Sequence, residues 1–322
     1  MPSKRPSIKG HTILVTGGAG FIGSHLVDRL LNEGAKQIIV VDNLFLGNED
    51  NLKNSLNRNI VFYKDDIEIP ETVDYIFQRH AIDIVFNCAT KALNYSFVNP
   101  KNAFNTNING ILNLLELQRK KAFKTLVHFS TSEVYGTAVY EPMDEKHPIN
   151  PTTTYAAGKA AADHALKSYV SMFDIDSFIV RPFNNYGPRQ NHKGYLAGII
   201  PITTSRILKN ITPEIHGSGT QSRDFIYVFD TIDAIIQVYN LMEKGKSINI
   251  STDSQYTVNE VMSKIIKYLN YKGEILHKEA RGADVECHHA CNKKIKSLID
   301  FKLTTFDIGL SQTIDWYKEN IA

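Results

Sequence analysis

Ile13-Leu14-Val15-Thr16-Gly17-Gly18-Ala19-Gly20-Phe21-Ile22-Gly23 is the stretch that decides the fold. A short β-favouring apolar run enters a cluster of glycines, and an amphipathic helical pattern follows from about Phe21 to Asn32. Gly17, Gly20 and Gly23 are each separated by two residues, and Gly18, Gly20 and Gly23 also satisfy G-x-G-x-x-G. Glycine permits the tight turn and lets backbone approach a pyrophosphate, while the helix N-terminus attracts that anion. The pattern follows a strand and opens a helix in the first βα unit, so it predicts a dinucleotide site rather than a plain glycine-rich turn.

Outward from that loop the rhythm continues. Strands are predicted at 37–42, 60–63, 84–86, 125–129 and 176–180, with helices near 71–79 and 103–120 between them. Apolar strands alternating with helices require a parallel sheet covered on both faces. The expected fold class is α/β, a Rossmann-type doubly wound parallel sheet with a smaller C-terminal substrate-binding lobe. The rhythm breaks after Arg181-Pro182, at the turn cluster Asn184-Asn185-Tyr186-Gly187-Pro188. Residues 1–182 plus about 222–251 are expected to form the cofactor domain, and about 183–221 plus 252–322 the lobe.

Asp42 ends the second strand, downstream of Gly20 at the spacing where a carboxylate accepts hydrogen bonds from both ribose hydroxyls and repels a 2′-phosphate. No Arg or Lys follows in Asn43-Leu44-Phe45-Leu46, so NAD is expected over NADP. Asp66-Ile67, after the third strand, suits either the adenine amino group or the start of an acidic loop.

The chain has 322 residues, is 43% hydrophobic and carries a formal net charge of +2. That balance gives no reason to expect a nucleic-acid or anionic-membrane partner. No apolar run is long enough for a bilayer, and three cysteines are too few for a disulfide framework, so a cytoplasmic enzyme is expected.

Tyr155 and Lys159 stand four apart, on one helix face. Deprotonating a tyrosine at neutral pH costs about 4 kcal/mol, and an ammonium about 4 Å away at an effective dielectric near 20 supplies about as much. Tyr155 can then act as a general base toward a carbinol. Thr131 and Ser132 begin the segment after an apolar strand, where open α/β sheets place ligands, or they cap a local turn. Glu133 is beyond what carbinol oxidation needs and asks for a second proton transfer.

These motifs resemble those of extended short-chain dehydrogenases/reductases that act on nucleotide sugars. The matching stretches are Thr16–Gly23, Ser130–Gly136, Tyr155 to Lys159, Arg181–Pro188 and Gly217–Phe225. The Thr-Ser-Glu order is similar to that of the GDP-mannose and dTDP-glucose 4,6-dehydratases, where the dTDP-glucose enzymes usually carry Asp at the place of Ser132. The resemblance implies a sequence of steps. Tyr155 takes the C4 hydroxyl proton as hydride leaves C4 for NAD. Glu133 removes the C5 proton, and water leaves C6 with help from Ser132 or protonated Glu133. Hydride then returns to C6. It also implies cofactor contacts at Phe21, Ile22, Asn43, Ala89, Asn107, Tyr155 and Lys159. Substrate contacts follow at Lys91, Asn94, Ser96, Asn184, Arg223 and Arg281, the arginines suiting a nucleoside diphosphate. A homodimer through helices near 103–120 and 152–173 is implied too. The run Asn87–Ser96 departs from the usual His-x-Ala-Ala, and Gly158 stands inside the catalytic helix at a cost of about 1 kcal/mol.

Three alternatives use the same residues. A 4-epimerase needs Thr131, Tyr155 and Lys159 and leaves Glu133 without a task. A UDP-glucuronate decarboxylase would want a cation at C6. An NAD-binding sensor would be expected to lack Tyr155 or Lys159. Cys287-His288-His289-Ala290-Cys291 invites a zinc reading, but adjacent strand histidines project to opposite sides, so no metal is expected.

Overall fold

The computed structural model describes residues 5–53, 55, 59–279 and 287–321. The chain begins β1 (Thr12–Thr16), α1 (Phe21–Asn32), β2 (Gln37–Val41), β3 (Ile60–Tyr63), α2 (Pro70–Arg79), β4 (Ile84–Asn87), α3 (Pro100–Arg119), β5 (Thr125–Phe129), α4 (Thr154–Phe173) and β6 (Asp176–Pro182). It continues with β7 (Asn184–Tyr186), α5 (Ile199–Leu208), β8 (Glu214–His216), β9 (Ser222–Arg223), β10 (Phe225–Tyr227), α6 (Val228–Val238) and β11 (Ser247–Ile250). The described chain closes with β12 (Tyr256–Thr257), α7 (Val258–Leu269), β13 (Leu276–Lys278), β14 (Cys287–His288), α8 (Lys293–Leu298) and α9 (Phe306–Ile321).

Seven strands form one parallel sheet in the order β11-β6-β5-β4-β1-β2-β3. The alternation of side chains along β1 shows why both faces must be covered. Ile13 and Val15 pack with Leu26, Val27 and Leu30 of α1 and with Ile232 and Ile235 of α6. Leu14 points the other way, into the cluster of Val73 and Ile76 from α2, Ile111 and Leu114 from α3, and Ala162 and Leu166 from α4. Each such side chain contributes about 1.5–3 kcal/mol by leaving water. The strand order reverses at β1, between β2 and β4, and the crevice at the carboxyl ends opens there.

Helix α4 carries Tyr155 and Lys159. Thr153 starts it by accepting the Ala156 N–H at 3.2 Å, and Asp174 ends it in the left-handed conformation at φ 52°. Gly158 has a packing reason: a Cβ there would lie 2.7 Å from the Phe104 carbonyl oxygen of α3. Ala156 and Ala160 on the same helix are buried within the protomer.

Beyond β6 the sheets are small. β7 pairs with β10, β9 lies between β12 and β14, and β8 pairs with β13. α5, α7 and α9 close over this lobe on Ile200, Val261, Ile265, Phe306, Leu310 and Ile314. Within 222–251, β11 joins the main sheet beside β6, whereas Ser222-Arg223 belongs to the lobe's three-stranded sheet. Among the described residues no helix is long and apolar enough to cross a membrane.

Candidate active site

The glycine loop leaves β1 and turns back on itself. Gly17 has φ 65°, and a Cβ there would lie 2.8 Å from the Cα and nitrogen of Ala89. The loop thus runs directly against the chain leaving β4, and bare backbone faces the crevice. Gly17, Gly20, Phe21, Ile22, Gly23, Asp42, Asn43, Asp66, Ile67 and Ala89 all border one cavity. Asp42 is oriented by the Ala19 N–H at 3.0 Å and the Leu44 N–H at 2.9 Å. Burial raises its pKa, and those backbone bonds together with the Lys91 charge oppose the rise. Its remaining lone pairs are available to ribose hydroxyls. Asn43 donates to Asp66 at 2.7 Å, tying the ends of β2 and β3 together. A bare glycine turn with a carboxylate at the end of β2 fits NAD.

One cofactor expectation and one substrate expectation fall elsewhere. Asn107 does not border the cavity. Its amide is used between α3 and α4, accepting from the Thr90 hydroxyl at 2.7 Å and donating to the Ala103 and Tyr155 carbonyls at 3.1 and 3.3 Å. Lys91, expected at the sugar, borders the cofactor cavity instead, with its ammonium 4.0 Å from the centre of the Phe45 ring.

The catalytic residues meet where β5 ends. Thr131 caps the short turn that follows and accepts the Glu133 N–H at 3.3 Å. The hydroxyls of Thr131 and Thr90 hydrogen-bond Tyr155. Burial raises the Tyr155 phenol to about 12; the Thr131 bond opposes this, the Glu133 charge adds to it, and the Thr90 bond opposes it. Lys159 donates to the Phe129 carbonyl at 2.7 Å, and burial pushes its ammonium down to about 8 against the charges of Asp163 and Cys88. Burial thus acts against the charged form of each group.

A second cavity of ≈ 400 Å³ adjoins the first at Ala92, Gln190, Leu196 and Gly198. Glu133, Asn94, Asn184 and Arg223 border it. Arg206, which the sequence reading missed, borders it too, 2.8 Å from Glu214. Ser96 and Ser132 do not. Ser96 is buried and accepts the Tyr155 N–H at 2.9 Å, so it holds the start of α4 rather than a ligand. Ser132 is 2% exposed. Arg281 lies outside the described residues.

Two further residues were not read as part of the catalytic cluster. Thr90 stands where a hydroxyl in place of alanine was the available signal. His288 lies with Nδ1 3.6 Å from Glu133 Oε1. As strand alternation requires, His289 projects oppositely, toward Glu141 and Asp253. No group of three potential metal ligands assembles among the described residues.

The family profile described as GDP-mannose 4,6 dehydratase matches residues 14–308. A Methanocaldococcus jannaschii protein, assigned provisionally as a UDP-glucose 4-epimerase, is 36% identical over 96% of this chain and 99% of its own. The Thermotoga maritima UDP-glucose 4-epimerase, crystallised with UDP-glucose, superposes with a TM-score of 0.88 at 34% identity, covering 97% of this chain and 100% of that one. A dTDP-glucose 4,6-dehydratase from Bacillus anthracis, in complex with NAD, superposes with a TM-score of 0.87 at 30% identity, covering 97% of each chain.

Proposed function

We propose a reaction from the premise that this chain belongs to the GDP-mannose 4,6-dehydratase family and is an NAD-dependent enzyme that converts nucleotide sugars. Our reading is a nucleotide-sugar 4-epimerase acting on a UDP-hexose. The observation that carries it is Ser132, a buried serine at the place where the dTDP-glucose enzymes usually carry Asp. Elimination across C5 and C6 needs both a base and an acid at the sugar, and a serine hydroxyl is a far weaker acid than the carboxyl whose place it takes. Oxidation and reduction at C4 need one hydroxyl base and its partners, which Tyr155, Thr131 and Thr90 supply. The identity to the two proteins described as UDP-glucose 4-epimerases supports the same reading.

Bound NAD supplies a reversible hydride acceptor. Tyr155 takes the C4 hydroxyl proton, and Thr131 and Thr90 hold that phenol in place. Lys159, anchored on Phe129, keeps a positive charge beneath it. Arg223, Arg206 and Asn184 suit the diphosphate of the substrate. Return of that hydride to the opposite face of the 4-ketone would invert the carbinol.

A second reading, the 4,6-dehydratase, has one observation in its favour: Glu133 borders the sugar cavity. One experiment decides. Purified protein is incubated with UDP-, dTDP-, GDP- and CDP-hexoses, and the products are weighed and resolved chromatographically. A new isomer of unchanged mass is the expected outcome. Loss of one water would replace the epimerase with the dehydratase, and loss of carbon dioxide from a uronate would indicate a decarboxylase.

A further inference from the structure

Helix α4 grips the chain just ahead of the catalytic turn at two consecutive residues. Lys159 donates to the Phe129 carbonyl at 2.7 Å, and four residues on, along the same helix face, Asp163 accepts the Ser130 hydroxyl at 2.8 Å. Asp163 is fully buried, and the same oxygen, Oδ2, also accepts from Arg181 Nε at 3.2 Å and Nη2 at 2.7 Å. Arg181 lies on β6, buried as well, and its Nη1 donates to the Tyr135 hydroxyl at 2.9 Å and to Ser247 Oγ at 3.2 Å. The Tyr135 hydroxyl gives its own hydrogen to Asn249 Oδ1 of β11 at 2.8 Å. Ser130 and Tyr135 are the residues on either side of Thr131–Val134. One carboxylate–guanidinium pair therefore holds the turn at both ends, and its carboxylate belongs to the helix that carries Tyr155 and Lys159.

Stability alone does not account for this pair. Taking two ions out of water offsets much of their attraction, and apolar side chains of similar size in such a place are often neutral or stabilising. What apolar side chains lack is direction. The carboxylate and the guanidinium fork fix where Ser130 and Tyr135 sit relative to α4, within the narrow range that hydrogen-bond geometry allows. We propose that Asp163 and Arg181 are positioning residues: their buried ion pair sets the register between the turn Thr131–Val134 and α4. The reaction needs that register, because Thr131 comes from the turn and Tyr155 and Lys159 from the helix. Neither Asp163 nor Arg181 borders the sugar or the cofactor cavity, so both act through the residues they hold. The catalytic consequence rests on the nucleotide-sugar reading above; the clamp itself does not.

The test has two arms, both on the full chain. Its main variant is Asp163→Leu with Arg181→Met, which replaces the pair by apolar side chains and strands no buried charge. The first arm is hydrogen exchange followed by mass spectrometry. The Gly136 amide is bonded to the Glu133 carbonyl at 3.1 Å and reports on the turn. Peptides spanning Ser130–Gly136 should exchange at least about tenfold faster than in wild type, while β1 to β4 keep their rates. Unchanged exchange in the turn, or a rise spread evenly over the chain, overturns the proposal whether or not any sugar is turned over. The second arm is kinetic. The kcat should fall by about 10- to 10²-fold, the cost of misplacing a catalytic group by about 1 Å, with KM and NAD affinity within about threefold. Full kcat in a variant whose turn exchanges faster overturns the positioning role. Ser130→Ala and Tyr135→Phe each free one end and keep the ion pair, so they carry the exchange arm if the double variant does not fold. Each should loosen the same peptides by a smaller factor, and loosening in neither overturns the clamp. Wild-type protein that converts no nucleotide sugar refutes the function reading alone, and the exchange arm still decides the clamp.

Discussion

The cofactor cradle draws mainly on short segments at the carboxyl ends of β1 to β4, whereas the second cavity gathers Asn94, Glu133, Asn184, Arg206 and Arg223 from separate elements. In the cradle, each functional group sits a fixed number of residues past a strand whose direction the parallel sheet dictates. In the cavity, position depends on how β7 to β14 pair in sheets of two or three strands. Local geometry is written in a motif, and the meeting of distant segments is not.

The sharpest way to break this division is to change the residue on which the proposed chemistry turns. Tyr155→Phe removes the phenol that Thr131 and Thr90 hold and leaves the glycine loop untouched. Turnover should fall by about 10²–10⁴-fold, the usual worth of a general acid–base group. NAD affinity, measured by fluorescence titration, should stay within about threefold. Joint loss of both would mean that the two cavities do not act separately.

Gly17→Ala attacks the cradle side. The new Cβ would lie 2.8 Å from the Ala89 backbone, on a residue with φ 65°, and neither segment can move without shifting β1 against β4. NAD affinity should drop by at least about tenfold, roughly 1.4 kcal/mol, on the same titration. Unchanged affinity would show that the close approach of loop and β4 is not what shapes the site.

The same contrast explains what could be read beforehand. The sheet and the glycine cradle follow from strand alternation and from the spacing of Gly17, Gly20, Gly23 and Asp42. Ser96, Lys91 and Asn107 were expected to face a ligand because the family resemblance implies it. Ser96 is instead used up on the Tyr155 amide and Asn107 on Thr90, while Lys91 turns over Phe45 into the cofactor cavity. Thr90 and His288 were missed for the complementary reason. Each reaches the catalytic turn from an element remote in sequence, and nothing near Tyr155 or Glu133 in the chain announces them. Ser132 shows the limit of resemblance: its place in the motif is shared, but its side chain is buried.

Lys159 separates stability from catalysis. Its pKa falls from 10.5 to about 8 on burial, so carrying that charge inside costs about 3 kcal/mol. Lys159→Met removes the cost and gives up one bond to the Phe129 carbonyl, worth about 1 kcal/mol. The variant should be inactive yet about 2 kcal/mol more stable at pH 7 by denaturant titration. The sign of the pH dependence follows. Below about pH 8 lysine is charged in both folded and unfolded chains, and the cost is full. Between pH 8 and 10.5 the folded protein has shed the proton while the unfolded chain retains it, so the cost shrinks with rising pH. The stability gap between variant and wild type should therefore narrow over that window. A gap that widens would mean the lysine is not the charged, buried group described.

The smallest effect expected is at Lys91, and it sharpens the comparison most finely because this residue lies near the seam. Among the described charged residues that border the cofactor cavity, Asp42, Asp65 and Asp66 are acidic and Lys91 is the cation. A cavity that accepts a pyrophosphate gains from that charge, and the Phe45 ring holds it in place. Lys91→Met keeps the length of the side chain and its contact with Phe45 while removing the charge. NAD affinity should weaken by about three- to tenfold at low salt, or about 1 kcal/mol, and the difference should shrink as ionic strength rises. The KM for the sugar nucleotide should barely move, since Lys91 does not border that cavity. The opposite pattern, a raised sugar KM with NAD affinity intact, would return Lys91 to the substrate side, the place the family resemblance implies.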